Sequence, residues 1–92
     1  MLFCLHIQDK PDRVETRKQF VDEHRPFQKD RGADVTLSGP LLAKDGKTMV
    51  GSISFIEAAD RVGVEKFIAN DPFTRNDVWG ESVLTRFLRR HG

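Results

Sequence analysis

Leu2-Phe3-Cys4-Leu5-His6-Ile7-Gln8 stands near the start of the chain, and Asp9-Lys10-Pro11-Asp12 follows it. Phe3, Leu5 and Ile7 alternate with Cys4, His6 and Gln8, the period of two that sends successive side chains to opposite faces of a strand. The four residues after it are turn formers, and Pro11 cannot donate to a strand ladder, so the strand stops there. Asp12 then reads as the N-cap of a helix running to about Arg31. Glu15 three residues on makes a capping-box pair, and Gly32 suits the C′ position. At 100° per residue, Val14, Phe20, Val21 and Phe27 fall on one arc of roughly 140°, with His24 in its middle. Arg17 falls there too, and its long side chain is expected to reach out to water. Pro26 removes one helical donor close to His24 and predicts a kink or tightened turn.

Residues 34–42, opening Asp34-Val35-Thr36-Leu37-Ser38, read as a second strand ending at Gly39-Pro40. Ala43-Lys44-Asp45-Gly46-Lys47 is a hairpin connection with Asp-Gly as its turn signal. Residues 49–57 form a third strand, weakened by Gly51. Asp60 caps a second helix over about 61–69, with Val64, Phe67 and Ile68 inward and Asn70-Asp71-Pro72 ending it. A last strand covers about 78–89, with Trp79, Val83 and Phe87 on one face. The order is β-α-β-β-α-β, which predicts an α+β, ferredoxin-like domain: a four-stranded antiparallel sheet with two helices on one face. The other face is left bare, carrying Cys4, His6, Ser52 and Ser54 or their neighbours.

Ninety-two residues, 38% hydrophobic and 32% charged, fit a single globular domain over 1–92 rather than a disordered or membrane-embedded chain. A chain this small buries only about 60–65% of its unfolded surface. A second subunit over the bare sheet face is the expected remedy, so a homodimer is predicted. A formal net charge of +1 gives no bulk attraction to nucleic acid or to an anionic membrane. No apolar stretch approaches the 18 or more residues of a membrane span, and the first residues lack the basic region and cleavage site of a signal peptide. With one cysteine there is no internal disulfide, and a cytoplasmic location is expected.

The glycines are too widely spaced for a phosphate loop, and no Cys/His spacing suggests a metal site, so neither cofactor nor metal is expected. Cys4 in a strand reads as a small apolar filler rather than a nucleophile. His24 carries most information. On an inner helix face it is either a packed histidine bonded to backbone, or a general acid or base whose imidazole titrates near neutral pH. The second role requires a carboxylate to fix its tautomer. Asp71, at an element end before Pro72, is the first candidate and Asp34, starting a strand, the second; their plain readings are a turn residue and a solvated edge charge. Ser38, just before Gly39-Pro40, is placed to bond a ligand oxygen or simply to make a turn. Phe73 and Trp79 suit the wall of an apolar pocket or the core. His6 is a further histidine within reach of meeting His24 in space.

Leu2-Phe3-Cys4-Leu5, Arg17 and His24 followed by Pro26-Phe27, Ser38-Gly39-Pro40, Asn70-Asp71-Pro72-Phe73, and Val78-Trp79 with Phe87 together resemble the YciI-like family over essentially the whole chain. The resemblance implies a ferredoxin-like fold that dimerises through its sheets, the dimeric α/β-barrel arrangement shared with muconolactone isomerase-like proteins. It implies a pocket holding a histidine and an aspartate, which map onto His24 and Asp71, with Ser38 and Pro40 at the rim. One branch of the family removes chloride from a chlorinated hydroxyquinone with a His-Asp pair. The short Lys44-Asp45-Gly46-Lys47 hairpin departs from members that carry a longer loop there. The expected activity is therefore cofactor-independent proton transfer, of lyase or isomerase type, on a small cyclic or enolisable ligand. His24 and Asp71 would be catalytic, and Ser38, Gly39, Pro40, Arg17, Phe73 and Trp79 would bind the ligand. The alternative is a non-catalytic dimer that binds a ligand or partner.

Overall fold

The central strand β1, Leu2–Asp9, buries Phe3, Leu5 and Ile7 and turns His6 and Gln8 to water, as the alternation requires. The computed structural model describes residues 1–20, 22 and 34–92; Val21, His24, Pro26, Phe27, Arg31 and Gly32 lie outside them. After β1, residues 14–20 are helical (α1). Then follow β2 (Asp34–Leu42), β3 (Met49–Glu57), α2 (Arg61–Ala69), α3 (Pro72–Arg75) and β4 (Trp79–Arg86). The strands form one antiparallel sheet in the order β2-β3-β1-β4. That is the ferredoxin-like arrangement expected from the element order.

Register decides which residues share a face, because directly opposed residues in an antiparallel pair point the same way. Phe3, Leu5 and Ile7 face Ile56, Ser54 and Ser52 on β3, and Arg86, Leu84 and Ser82 on β4. This face meets the helices. Val64 and Phe67 of α2 close over Phe3, Leu5, Ile7 and Ile56 to make the core, with Ile68, Trp79 and Leu84 packed against it. Ser52 and Ser54 are therefore buried on the helix side, not on the bare face as the sequence suggested. The bare face instead carries Ile53 and Phe55, opposite His6 and Cys4.

Three further differences have local causes. Asp12 adopts φ 62 in a turn, and Arg13 accepts the first helical bond, from Arg17 N at 2.8 Å, so the N-cap lies one residue later than expected. β4 ends at Arg86 rather than near 89: its next residue, Phe87, bonds Leu2 O through its amide at 2.9 Å, at the first residue of β1, its pairing partner. A register shift between the Ile7 and Asp9 pairings rotates Trp79 onto the helix side, away from Val83 and Phe87.

The remaining elements follow the sequence closely. Asp60 Oδ1 accepts from Gly63 N at 2.8 Å and caps α2. In the β2–β3 hairpin, Gly46 takes φ 71. Asp45 accepts from Lys47 N, Thr48 N and Thr48 Oγ1, and these bonds pull its carboxyl down to about 2. β2 is an edge strand, where Pro40 is tolerated, and a register break at Thr36 interrupts its pairing. Gly51 is required by close approach: a Cβ there would lie 2.4 Å from Ile7 O. No helix among the described residues is long and apolar enough to cross a membrane.

Candidate functional site

Arg17 projects from α1 onto the helix side of the sheet and is 3% exposed. Its reach toward water, expected from its length, does not occur, because three partners hold it inside. Nη1 donates to both oxygens of Asp9, at 3.0 and 2.9 Å, and Nη2 donates to Ser52 Oγ at 2.9 Å. The guanidinium carbon lies 4.7 Å above the centre of the Phe73 ring. Arg17 Nε is buried and, among the described residues, has no hydrogen-bond partner. A cation buried this deeply persists only when paired and bonded, and Asp9 supplies the charge. One side chain thus ties the end of β1, β3 and α1 to α3.

Phe73 leads from Arg17 to Asp71. Asp-Pro followed by Phe-Thr-Arg begins a short helix: Asp71 is its N-cap, Pro72 holds the first position without needing a donor, and Asp71 Oδ1 accepts from Phe73 N at 2.9 Å. Asp71 and Phe73 are both fully buried. Trp79 meets Phe73 edge-on, with centroids 5.9 Å apart. Arg17, Phe73, Trp79 and Asp71 are therefore brought together, with Asp9 and Ser52 as members that sequence reasoning missed. In sequence Asp9 shows only as a strand breaker, and the pattern places Ser52 on the bare face.

Ser38 and Pro40 pair with Ser54 and Ser52, so they share the helix-side face, where both are exposed at the sheet edge. Gly39 pairs with Ile53 on the bare face. Asp34 pairs with Glu57, five residues along β3 from Ser52 and so roughly 17 Å away, and does not join the cluster. His6 lies on the bare face opposite Ile53 and Val83, also apart from it. His24 is outside the described residues. Beside Asp9 opens a groove of about 520 Å³, lined by Gln8, Lys10, Val14, Met49 and Glu81 among others, and among the described residues none of those nominated from sequence lines it. At its margin Asp77, in the turn before β4, takes ion pairs from Lys10 and Arg13, the first of which chiefly lowers its carboxyl.

The sequence signature of the YCII-related domain matches residues 1–88. This chain belongs to the YCII-related family. No curated protein sequence matches it. Among solved structures, this YCII-related chain is similar to 5-chloro-2-hydroxyhydroquinone dehydrochlorinase (TftG) from Burkholderia phenoliruptrix AC1100, determined in complex with 2,5-dihydroxybenzoquinone. The two share 28% identity with a TM-score of 0.85, over 100% of this chain and 96% of that one. Family and neighbour together support an enzyme-like function for this YCII-related domain.

Proposed function

We propose that this chain is a small cofactor-independent enzyme that moves a proton on a small cyclic or enolisable ligand, with His24 and Asp71 as its working pair. The observation that carries this reading is Asp71: a carboxylate with no exposed surface, fixed by the Phe73 amide and set beside the buried Arg17–Phe73 stack. Burying a carboxylate is costly, and a turn alone does not require it. His24 enters from the sequence, which assigns it to the same helix arc as Arg17. In the proposed step the imidazole takes a proton from a ligand O–H or C–H. The electron pair left behind re-forms a double bond, and in an elimination it expels the leaving group as an anion. Asp71 holds the resulting imidazolium. Ser38, at the edge of the same sheet face, donates to a ligand oxygen, and Pro40 flanks it. The similar dehydrochlorinase, solved with a dihydroxyquinone, favours an oxygenated ring as the ligand.

Titrating the purified chain with 2,5-dihydroxybenzoquinone and assaying halogenated hydroxyquinones for halide release tests this. His24→Ala and Asp71→Asn are expected to abolish turnover while circular dichroism stays native. Turnover retained in either variant removes the pair. A non-catalytic binding module is favoured by one observation, that the Asp71 cap already gives the residue a structural task. If His24→Ala lowers stability by several kcal/mol, the histidine belongs to the packing; if stability holds or rises, a site residue has been removed.

We also propose that two copies pair through the bare sheet face. Leu37, Ile53, Phe55, Val83 and Phe87 share it, and Leu37, Val83 and Phe87 are exposed. Four strands about 4.8 Å apart and about 26 Å long give a face of roughly 500 Å² per copy. Two copies then bury roughly 1,000 Å², the lower bound for a stable interface. Ile53→Glu is expected to yield monomers in sedimentation velocity; an unchanged dimer would place the interface elsewhere.

A further inference from the structure

The bare face holds an imidazole, and it stands amid apolar side chains. His6 lies on β1, between the two strands that carry its cross-strand partners, Ile53 and Val83, and it is exposed. One rung toward the start of β1, the face carries Leu37, Phe55, Cys4 and Thr85; one rung the other way it carries Leu41, Gly51 and Gln8. Among the described residues, acidic groups stand beside the His6 rung as well as toward the start of β1. Asp34 and Glu57 oppose each other on the rung of Leu2, where Glu57 takes the terminal ammonium at 2.8 Å. Glu81 precedes Val83 by two residues on β4, roughly 7 Å along the strand.

We propose that His6 makes the pairing of two copies through this face pH-dependent: the neutral imidazole can be enclosed between two apolar sheets and the imidazolium cannot. This rests on the sheet-to-sheet pairing put forward above. Enclosure withdraws the ring from water and disfavours its charged form, so each His6 must give up its proton for the copies to join. The sign follows from linkage. The pair is at full strength where the imidazole is neutral and weakens as falling pH protonates it. Each protonated His6 opposes association and a pair contains two, so over one pH unit of protonation Kd rises by up to about 100-fold.

Sedimentation velocity on dilution series of the whole chain, at pH 7.5 and 5.5, tests this with wild type, His6→Gln, His6→Leu and Ile53→Glu. His6 contributes nothing to the buried core, so both His6 variants are expected to keep the wild-type melting temperature at pH 7.5. The expected result is a wild-type Kd up to about 100-fold weaker at pH 5.5, and a Kd that is nearly constant for both His6 variants. His24 and His91 are unchanged in all of these proteins and serve as internal controls. A pH dependence that persists in His6→Gln and His6→Leu overturns the inference, as does a wild-type dimer equally strong at both pH values. A chain that is monomeric throughout, or a dimer indifferent to Ile53→Glu, overturns the pairing itself and is told apart in the same series.

Discussion

Replacing Arg17 by Met removes a buried cation while leaving most of its stem volume in place. The Arg17 and Asp9 side chains are 4% and 6% exposed, so the surface value for an ion pair, about 0–1 kcal/mol, does not apply. Removing one partner of a buried pair costs about 3–5 kcal/mol, because the other charge stays in a poor solvent. Loss of the bond to Ser52 and of the contact with the Phe73 ring is partly contained in that figure. We take about 4 kcal/mol as the expected loss. A domain of 92 residues has roughly 5–14 kcal/mol to lose, so Arg17→Met should fold but melt about 16–32 °C lower. Urea unfolding followed by circular dichroism measures the loss, and a cycle with Asp9→Asn isolates the pair. Asp9→Asn/Arg17→Met should cost well below the sum of the single losses, since neither charge is then left alone. Arg17→Lys should lie between wild type and Arg17→Met, because an ammonium cannot reach Asp9 and Ser52 with the same planar set of donors. A loss for Arg17→Met below about 1 kcal/mol, the range of an exposed pair, would refute the claim that this ion pair is dry.

Asp71→Ala should cost about 1–2 kcal/mol through loss of the α3 cap, and Asp71→Asn less, because an amide oxygen can still accept from Phe73 N; paired chemical denaturation curves give the difference. The Asp45 carboxyl should titrate with a midpoint of about 2 by NMR, and Thr48→Ala should raise it, since the Thr48 hydroxyl is the first cause of the depression. A folded-state value below the unfolded one means that the hairpin contribution is present above about pH 4 and fades as pH falls through about 2. Gly51→Ala should cost about 1–3 kcal/mol by forcing β1 and β3 apart at Ile7 O, read as a shift in urea midpoint.

The fold was legible where one rule acted alone. β3 and α2 fall at the expected residues because a hairpin turn and an Asp60 cap bound them. The faces of β3 were not legible. Alternation assigns a strand's apolar residues inward only when the other face is polar. Here both faces are apolar in part, and the smaller residues, Ser52 and Ser54, lie inside because Ser52 bonds a buried arginine. The same coupling hid Asp9, whose role depends on a residue eight positions away on another element. The α3 turn carries a signal, an Asp cap before Pro at the first helical position, that sequence pattern assigns only to the end of the preceding helix. Asp71 is nominated from sequence as a carboxylate and Phe73 and Trp79 as a pocket wall or core, while the link from Arg17 to Asp9 and Ser52 depends on the register of the strands.

The proline and the register break on β2 bear on how copies of this chain can meet. A strand at the margin of a sheet is a template on which another chain can add itself, and repeated addition has no natural end. At Thr36 the spacing of ladder groups is interrupted, and four residues on Pro40 offers no amide hydrogen. An incoming strand would find at most a few consecutive rungs. Growth along that margin is thereby discouraged. The face-to-face pairing proposed above would close after two copies, and the margin of β2 is in keeping with a finite particle rather than a fibre.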